Sequence, residues 1–234
     1  MIYHDFAQQS EEWYRARLGV ATASCFDKII TPKKLELSKS AEDYAFTLVG
    51  EMVTGESAEK FQSYWMERGA MMEVEARMQY EVITDLKLDR GGFITNDAMT
   101  RGASPDVRVF DGSRCVGGAE IKCPSPAVHI ANLKRMRDHG VIDPSYIPQV
   151  QGQILIGGFD FIDWFSYHPN FPPAHIRTYR DDEFCGALEG HLNTFDGMVD
   201  DVIAMLEKMG TKVPPRPITT MKPAEIPQSV YMAG

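Results

Sequence analysis

The sequence predicts an α/β (α+β) fold in which a central mixed β-sheet is flanked by helices. Three observations predict it: helical patterns up to about residue 84, short strand-like segments from about residue 91 to residue 123, and mainly helical patterns afterwards. Such an order of elements is typical of a sheet covered by helices. A chain of 234 residues can bury one sizeable core, so a second domain is not required.

Polar capping residues and apolar periodicity predict four helices in the first half. Ser10 is placed to cap the first, and a second is expected over residues 22–30. Ser40 is placed to begin the third, and Gly55 is placed to end it. The fourth is expected over residues 63–84. It places three apolar residues four apart, the spacing of one helical face: Ala70, Val74 and Met78.

After residue 91, short apolar segments alternate with turn residues, as the strands of a sheet do. Hairpin turns are expected at residues 96–97 and 111–113, where asparagine, aspartate and glycine cluster. Six strands are therefore expected over the following residues: 93–95, 99–103, 107–110, 115–123, 161–168 and 176–180.

The second half also carries helix signals. Ser125 and Pro126 form a cap followed by a first-turn proline, and Gly140 stands where that helix should end. Two further helices are expected, over residues 149–156 and 182–209. The proline-rich residues 211–234 are expected to form an extended or poorly ordered tail, so a single folded domain is placed at residues 1–210.

The composition is ordinary for a soluble globular protein, with 44% hydrophobic and 24% charged residues. No apolar run is long enough to cross a membrane, and the first residues lack the pattern of a signal peptide. No membrane partner is therefore expected, and a cytoplasmic location is. The four cysteines show no CxxC spacing and are expected to be free thiols, and the six histidines are expected to be structural or surface residues.

The net charge of −9 argues at face value against nucleic acid as a partner. However, DNA binding requires a local positive potential, which a sum over the chain does not measure. Each basic cluster taken alone is more often a solvated face than a DNA contact. The clusters are Arg15/Arg17, Lys33/Lys34 and Lys134/Arg135/Arg137.

The segment most informative about function pairs Asp106 with the strand that carries Glu120 and Lys122. Residues two apart on a strand share a face, so Glu120 and Lys122 should lie side by side while Ile121 turns into the core. A hairpin over residues 107–119 would return the chain to Asp106. Such a group suits Mg²⁺ or Mn²⁺, and two ions about 4 Å apart promote phosphodiester hydrolysis.

A glutamate and a lysine two apart also occur in amphipathic hairpins as a plain charge pair, and spacing alone favours that interpretation. Two features favour a site instead. Glu120 lies between apolar residues, as in a core strand, where a carboxylate is costly unless it binds something. In addition, Pro105 ends the preceding strand just before Asp106, where a ligand would be presented.

Five sequence blocks occur in the order that is found in one nuclease family. They are WYRARLGVATAS (Trp13–Ser24), ERGAMMEVEAR (Glu67–Arg77), SPD (Ser104–Asp106), EIKCP (Glu120–Pro124) and YIPQVQ (Tyr146–Gln151). On these blocks the chain resembles the phage lambda exonuclease/YqaJ-like viral recombinase family, within the PD-(D/E)xK nuclease superfamily. The resemblance spans roughly residues 10–180 and implies a restriction-endonuclease-like core.

The resemblance implies a role for each residue of the central group. Asp106 and Glu120 would be metal ligands, assisted by the backbone carbonyl of Ile121, and Lys122 would position the attacking water. It implies Mg²⁺ as cofactor, as two ions, with Mn²⁺ as a substitute. Two departures are visible: the spacing from Asp106 to Glu120 is 14 (120 − 106), longer than usual in the family, and Val107 replaces a common glycine.

The resemblance implies two further members of the catalytic group. Glu73 would hold the second metal or its water, although an i,i+4 surface pair with Arg77 is the alternative. Gln149 would complete the site, although a capping or exposed helix glutamine is the alternative.

A second group implied by the resemblance would hold the terminal 5′-phosphate. It consists of Arg17, Ser24 and Ser104. The alternative for Arg17 is a solvated helix charge. The alternative for Ser24 is a helix cap, although a helix N-terminus is itself favourable to an anion.

The resemblance implies a 5′→3′ exonuclease on double-stranded DNA ends that yields 3′ single-stranded tails for recombination. It also implies a trimeric ring, a partner single-strand annealing protein and a phage or prophage origin in a bacterial host. Two alternatives are open: a structure- or sequence-dependent endonuclease of the same fold, and a catalytically idle DNA-binding module. The Arg17/Ser24 block disfavours the first, and the intact Asp106/Glu120/Lys122 set disfavours the second.

Overall fold

A computed structural model describes residues 1–58 and 64–221, with the side chains of residues 64–71, Lys87 and Arg90 left out of the description. The helices are α1 (Glu11–Arg17), α2 (Ala41–Thr54), α3 (Tyr64–Thr84), α4 (Pro126–His139), α5 (Ile147–Gly157) and α6 (Asp182–Lys208). The strands are β1 (Ile2–His4), β2 (Ala21–Thr22), β3 (Lys87–Arg90), β4 (Phe93–Thr95), β5 (Arg101–Ala103), β6 (Val107–Asp111), β7 (Arg114–Lys122), β8 (Phe161–Ser166) and β9 (Ala174–Tyr179).

The strands form two mixed sheets. The larger has the order β3-β6-β7-β8-β9, in which only the β7–β8 pair is parallel. The smaller has the order β1-β4-β5-β2, with β2 and β5 parallel. The predicted mixed sheet with flanking helices is therefore confirmed, and the predicted strands all lie in these two sheets.

Local hydrogen bonds and glycine conformations set most helix ends where the sequence indicates. The Ser10 hydroxyl accepts from the Trp13 amide at 3.1 Å and so caps α1. Gly55 and Gly140 follow α2 and α4 with φ of 70° and 67°, a left-handed conformation that costs glycine little. The helix expected over residues 22–30 is a shorter 3-10 helix, Ala23–Lys28.

Helix α3 is present as predicted, but its buried face differs from the apolar spacing seen in the sequence. Val74 and Met78 are 64% and 60% exposed, whereas Ala76 and Tyr80 are fully buried. Ala70 lies among the residues whose side chains are not described. The buried face is set by the sheet beneath the helix, against which the Tyr80 ring packs on Phe165 edge to face.

Two buried clusters hold the larger sheet and its helices together. The main cluster joins α2, α5 and α6 to β8, with Trp164 and Leu188 at its centre. A second cluster joins α3 to the opposite face of β6 and β7, and it contains Val107, Ala119 and Ile121. Ala119 and Ile121 alternate with Glu120 and Lys122 along β7, so their burial turns the two charged side chains to the other face.

The described part of the proline-rich tail packs on the domain, contrary to the expectation that it is extended or poorly ordered. Residues Pro217–Thr219 form a 3-10 helix, and Ile218 is buried with Ala16, Val20 and Phe93. The guanidinium of Arg216 donates to the Gly19 carbonyl at 2.7 Å. Burial of the apolar Ile218 side chain thus stabilises the packing of this segment on the domain. Residues 222–234 lie outside the described part of the chain.

Two further observations concern the helices and the cysteines. Among the described helices, none combines the length and the apolarity that a membrane crossing requires. All four cysteines lie in the described residues, and they form no disulfide.

Candidate active site

Glu120 and Lys122 lie side by side at the end of β7, as the strand periodicity predicts. The Lys122 ammonium is 2.6 Å from Glu120 Oε1. The Glu120 side chain is 6% exposed and that of Lys122 is 30% exposed. The ion pair is therefore buried at its acidic end and open to solvent at its basic end.

The β6–β7 hairpin returns the chain to this point and brings Asp106 beside it. Val107 is paired with Ala119, and the Asp106 amide donates to the Ala119 carbonyl at 2.9 Å. The Asp106 carboxylate in turn accepts from the Ile121 amide at 2.5 Å. The longer spacing between Asp106 and Glu120 is absorbed by the hairpin, and a register shift between Val109 and Phe110 accompanies it.

Two glutamines of α5 hold the Glu120 carboxylate from above. Gln149 donates to Oε1 at 2.7 Å and Gln153 donates to Oε2 at 2.5 Å. Gln149 is thus half-buried and contacts Glu120, and its role in catalysis stays a prediction. Gln153 was not predicted, although it lies four residues after Gln149 and therefore on the same helical face.

The electrostatics of the group are dominated by an excess of negative charge. Burial raises the pKa of Asp106 well above its ordinary value, and the neighbouring carboxylates of Glu120 and Glu73 raise it further. Lys122 and the Ile121 amide oppose this only in part. Burial lowers the pKa of Lys122, but Glu120 and Asp106 outweigh it, so the pKa lies above its ordinary value and the ammonium is charged.

Glu73 lies on α3 beside Asp106, and both line a cavity of about 370 Å³. Its carboxylate also accepts from Arg77 at 3.2 Å, so the i,i+4 pair of the alternative interpretation is present as well. The cavity continues between α3 and the N-terminal segment over residues 6–9. Glu73 is thus placed to act on a group that binds beside Asp106 while remaining paired with Arg77.

The donors of this site fit a hard divalent cation. Asp106 and Glu120 offer carboxylate oxygens, and the buried amide oxygen of Gln153 has no hydrogen-bond partner among the described residues. Among the side chains that the structure describes, no group of three or more Asp, Glu, His or Cys residues is placed to hold a metal ion. A cation here would therefore depend on the two carboxylates together with neutral oxygens.

The three residues predicted to hold a phosphate form one connected network, and Trp13 joins them. The Arg17 guanidinium lies 4.1 Å from the Trp13 ring centroid and donates to the Ser24 hydroxyl at 3.2 Å. The Trp13 indole donates to the Ser104 hydroxyl at 2.9 Å. Arg17 is 7% exposed, so the alternative of a solvated helix charge is wrong. Sequence reasoning assigned no role to Trp13, which its position in the Trp13–Ser24 block could have suggested.

The backbone places Ser24 differently from the cap that was considered. Thr22 occupies the N-cap position of the 3-10 helix, and Ser24 lies one residue into its first turn. Both hydroxyls lie within hydrogen-bond distance of Arg17. The pocket thus combines a guanidinium with hydroxyl donors, which suits a phosphate.

The basic run of α4 is engaged in ion pairs. Lys134 and Arg137 both contact Asp138, at 2.6 Å and 2.8 Å, and Arg135 contacts Asp143 at 2.8 Å. The structure therefore pairs each of these cations with an acid at the surface, in keeping with a solvated face.

The model of the YqaJ-like viral recombinase domain matches residues 12–160, which is more than half of the chain. The chain belongs to the YqaJ-like viral recombinase family. The family resemblance inferred from the sequence blocks is thereby confirmed. A search of curated proteins gave no match.

Solved structures of related proteins agree with this assignment. The crystal structure of the alkaline exonuclease LHK-Exo from Laribacter hongkongensis is 30% identical to the chain, with a TM-score of 0.75, covering 86% of this chain and 98% of that one. LHK-Exo in complex with dAMP matches equally well. A phage-related exonuclease from Haemophilus somnus 129PT shares the fold at 17% identity and a TM-score of 0.61, covering 80% of this chain and 96% of that one. Together these findings support a nuclease of the lambda exonuclease type.

Proposed function

We propose that the chain is a Mg²⁺-dependent 5′→3′ exonuclease that acts on double-stranded DNA ends and leaves 3′ single-stranded tails for phage-type recombination by single-strand annealing. The observation that carries the proposal is the convergence of Asp106, Glu120 and Lys122 in a member of the YqaJ-like viral recombinase family. The dAMP complex of LHK-Exo adds that a deoxynucleotide binds to a protein of similar fold.

Mg²⁺ would be held by Asp106, Glu120 and the backbone carbonyl of Ile121, with Glu73 contributing directly or through water. When bound, a pair of such ions supplies Lewis acidity that neutralises the phosphate and polarises the scissile bond, and Mn²⁺ would substitute. Gln149 and Gln153 fix the orientation of Glu120, since each donates to a different oxygen of its carboxylate.

Lys122 would act as a hydrogen-bond donor rather than as a base. Its ammonium is held against Glu120 and remains charged, while 30% of its side chain is exposed toward the open side of the site. A charged ammonium there would orient the attacking water or contact a phosphate oxygen. The proton released by the water would pass to another acceptor or to solvent.

The end of the DNA would be recognised at Arg17, Ser24 and Ser104. Arg17 is a forked, permanently charged donor, and the two hydroxyls add donors to the same pocket. Ser104 is two residues before Asp106, so a phosphate held in this pocket would place a neighbouring phosphodiester bond near the carboxylates. This arrangement would explain a preference for ends over internal positions.

Incubation with Mg²⁺ and end-labelled duplexes tests the function. Linear DNA should be degraded from its 5′ ends, whereas a covalently closed circle should remain intact. Cleavage of the circle would favour the endonuclease alternative, and binding without cleavage of either substrate would favour the idle DNA-binding module.

A preference for a 5′-phosphate follows from the Arg17 pocket. A 5′-phosphorylated duplex should be digested at least about 10-fold faster than the same duplex with a 5′-hydroxyl, because a charge-assisted contact is lost in the second case. Arg17→Ala should shrink this ratio while cleavage continues. Arg15→Ala, on the exposed side of the same helix, is the matched control and should keep the ratio. Equal rates on the two ends in the wild type would contradict the pocket.

The assembly and location remain proposals that rest on the family. We infer a trimeric ring with an acidic exterior around a basic passage, which would reconcile the net charge of −9 with DNA binding. A single-strand annealing protein would be its partner, in the cytoplasm of a bacterial host. A monomer in sedimentation equilibrium at micromolar concentration would contradict the ring.

A further inference from the structure

The N-terminal segment between β1 and α1 reaches across to the backbone that presents Asp106. The side-chain amide of Gln8 donates to the Pro105 carbonyl at 2.9 Å, and the Ser104 carbonyl is 3.4 Å away. Gln8 is separated from these residues by 96 and 97 positions in the chain. Its amide therefore ties the first few residues of the chain directly to the turn between β5 and β6.

That turn carries one member of each functional group. Ser104 faces the phosphate network through Trp13, and Asp106 faces Glu120 and the cavity. Only Pro105 stands between them, and proline has no amide with which to anchor the turn. A displacement of this turn would consequently move the phosphate contact and the metal ligand together.

The backbone of Gly91 and Gly92 packs closely against the turn. A Cβ at Gly91 would lie 1.5 Å from the Pro105 carbonyl oxygen, and the Gly92 carbonyl accepts from the Ser104 hydroxyl at 2.8 Å. These backbone contacts limit movement toward β4. Gly91, Gly92 and Gln8 all line the cavity beside Asp106, and of these three Gln8 donates its side-chain amide to the carbonyls of the turn.

The backbone next to Gln8 is held in an uncommon conformation. Gln9 has a φ of 64°, in the left-handed region that residues other than glycine seldom adopt. This conformation directs the chain from Gln8 into the cap of α1 at Ser10. Such a conformation is unfavourable for glutamine and persists where neighbouring contacts determine it.

We propose that Gln8 is a positioning residue of the nuclease site, which fixes the turn at residues 104–105 and thereby sets Asp106 for cation binding and Ser104 for the DNA end. The proposal rests on the proposed function. It requires a neutral donor of this length, because both groups that face the amide are carbonyl oxygens. Gln8 contacts neither cation nor DNA in this role and acts through the backbone.

The test compares Gln8→Met with wild type and with Gln9→Asn. Methionine keeps the length of Gln8 but removes the donor, whereas asparagine tolerates the left-handed conformation of Gln9 and leaves Gln8 in place. Mn²⁺ binding is measured on each protein by calorimetry and by the shift in Tm that Mn²⁺ produces, without DNA. Turnover and KM are then measured on 5′-phosphorylated linear duplex with Mg²⁺.

Gln8→Met should weaken Mn²⁺ binding and lower kcat by about 10- to 100-fold each, the range found when partners behind a metal ligand are lost. Its Tm without metal should change little, and Gln9→Asn should match wild type throughout. A lower Tm with unchanged Mn²⁺ affinity would show a merely structural role and overturn the proposal. If wild type binds Mn²⁺ but cleaves no DNA, the proposed function fails while the Mn²⁺ comparison still decides the role of Gln8.

Discussion

Two aspartates of the larger sheet region, Asp106 and Asp163, have opposite pKa shifts. Asp163 is fully buried on β8, where burial alone would raise its pKa, yet hydrogen bonds from Arg177 and Tyr80 and the nearby His175 ring lower it to about 2. Arg177 contacts both of its oxygens, at 2.8 Å and 2.7 Å. At Asp106, burial and the neighbouring carboxylates of Glu120 and Glu73 raise the pKa, and Lys122 opposes them only in part.

The difference lies in which groups compensate the charge of each carboxylate. The charge of Asp163 is compensated by the protein itself, and the Tyr80 hydroxyl that donates to it at 2.8 Å anchors α3 on the sheet. The charges of Asp106 and Glu120 are compensated only in part, by Lys122. The two places therefore differ in how far neighbouring groups compensate the negative charge of the carboxylate.

Replacing a residue of the undercompensated group should have the largest effect on activity. Asp106→Ala, Glu120→Ala and Lys122→Ala should each reduce cleavage of linear duplex by about 1,000-fold or more. The loss of a metal ligand, or of the ammonium that orients the water, costs several kcal/mol of transition-state stabilisation. The Tm of Asp106→Ala without metal should stay constant or rise, because a repelling carboxylate is removed. Near-wild-type turnover in any of the three variants would remove that residue from the site.

Replacing the compensated aspartate should instead reduce stability. Asp163→Ala leaves the Arg177 guanidinium and the Tyr80 hydroxyl without their acceptor, and the free energy of unfolding should fall by about 3–5 kcal/mol in urea titrations. Asp160→Ala is the control, because its pair with Arg114 is exposed and should contribute less than about 1 kcal/mol. Equal losses in the two variants would contradict the comparison.

Lowering the pH should change the contributions of Asp163 and Asp106 to the free energy of unfolding in opposite directions. The folded pKa of Asp163 is depressed from 3.8 to about 2, so its contribution is present above pH 4 and is lost as the pH falls through that interval. The contribution is about 2 kcal/mol. The folded pKa of Asp106 is raised, so ionising it as the pH rises toward neutrality lowers stability. Urea titrations of wild type and Asp106→Asn across pH 4–7 should therefore diverge, with the variant the less pH-dependent; parallel curves would contradict this.

Much of the site could be predicted because its core follows from local rules. Strand alternation places Glu120 and Lys122 on one face, and a hairpin brings Asp106 to them. The glutamine and tryptophan contacts could not be predicted in the same way. Gln153 and Trp13 act across elements far apart in the chain, and their partners depend on how α5 and α1 pack on the sheets.

The errors have a similar origin. The spacing of Val74 and Met78 is that of one helical face, but periodicity does not show which face of a helix packs on the sheet. In the structure the buried face carries Tyr80, whose hydroxyl donates to Asp163. The proline content predicted a poorly ordered tail, whereas the segment around Ile218 packs on the domain through the burial of that side chain. In both cases a single long-range contact outweighed the local pattern.

The packing of residues 216–218 beside α1 has a consequence for truncation of the chain. Ile218 packs with Ala16, the residue next to Arg17, and Arg216 donates to the carbonyl of Gly19, two residues after the same helix ends. Removing everything after residue 210 would open the underside of α1 to water. Asp106 and Glu120 are held by β7 and α5 and would keep their positions. A truncated enzyme should thus become indifferent to the chemistry of the DNA end before it stops cutting DNA.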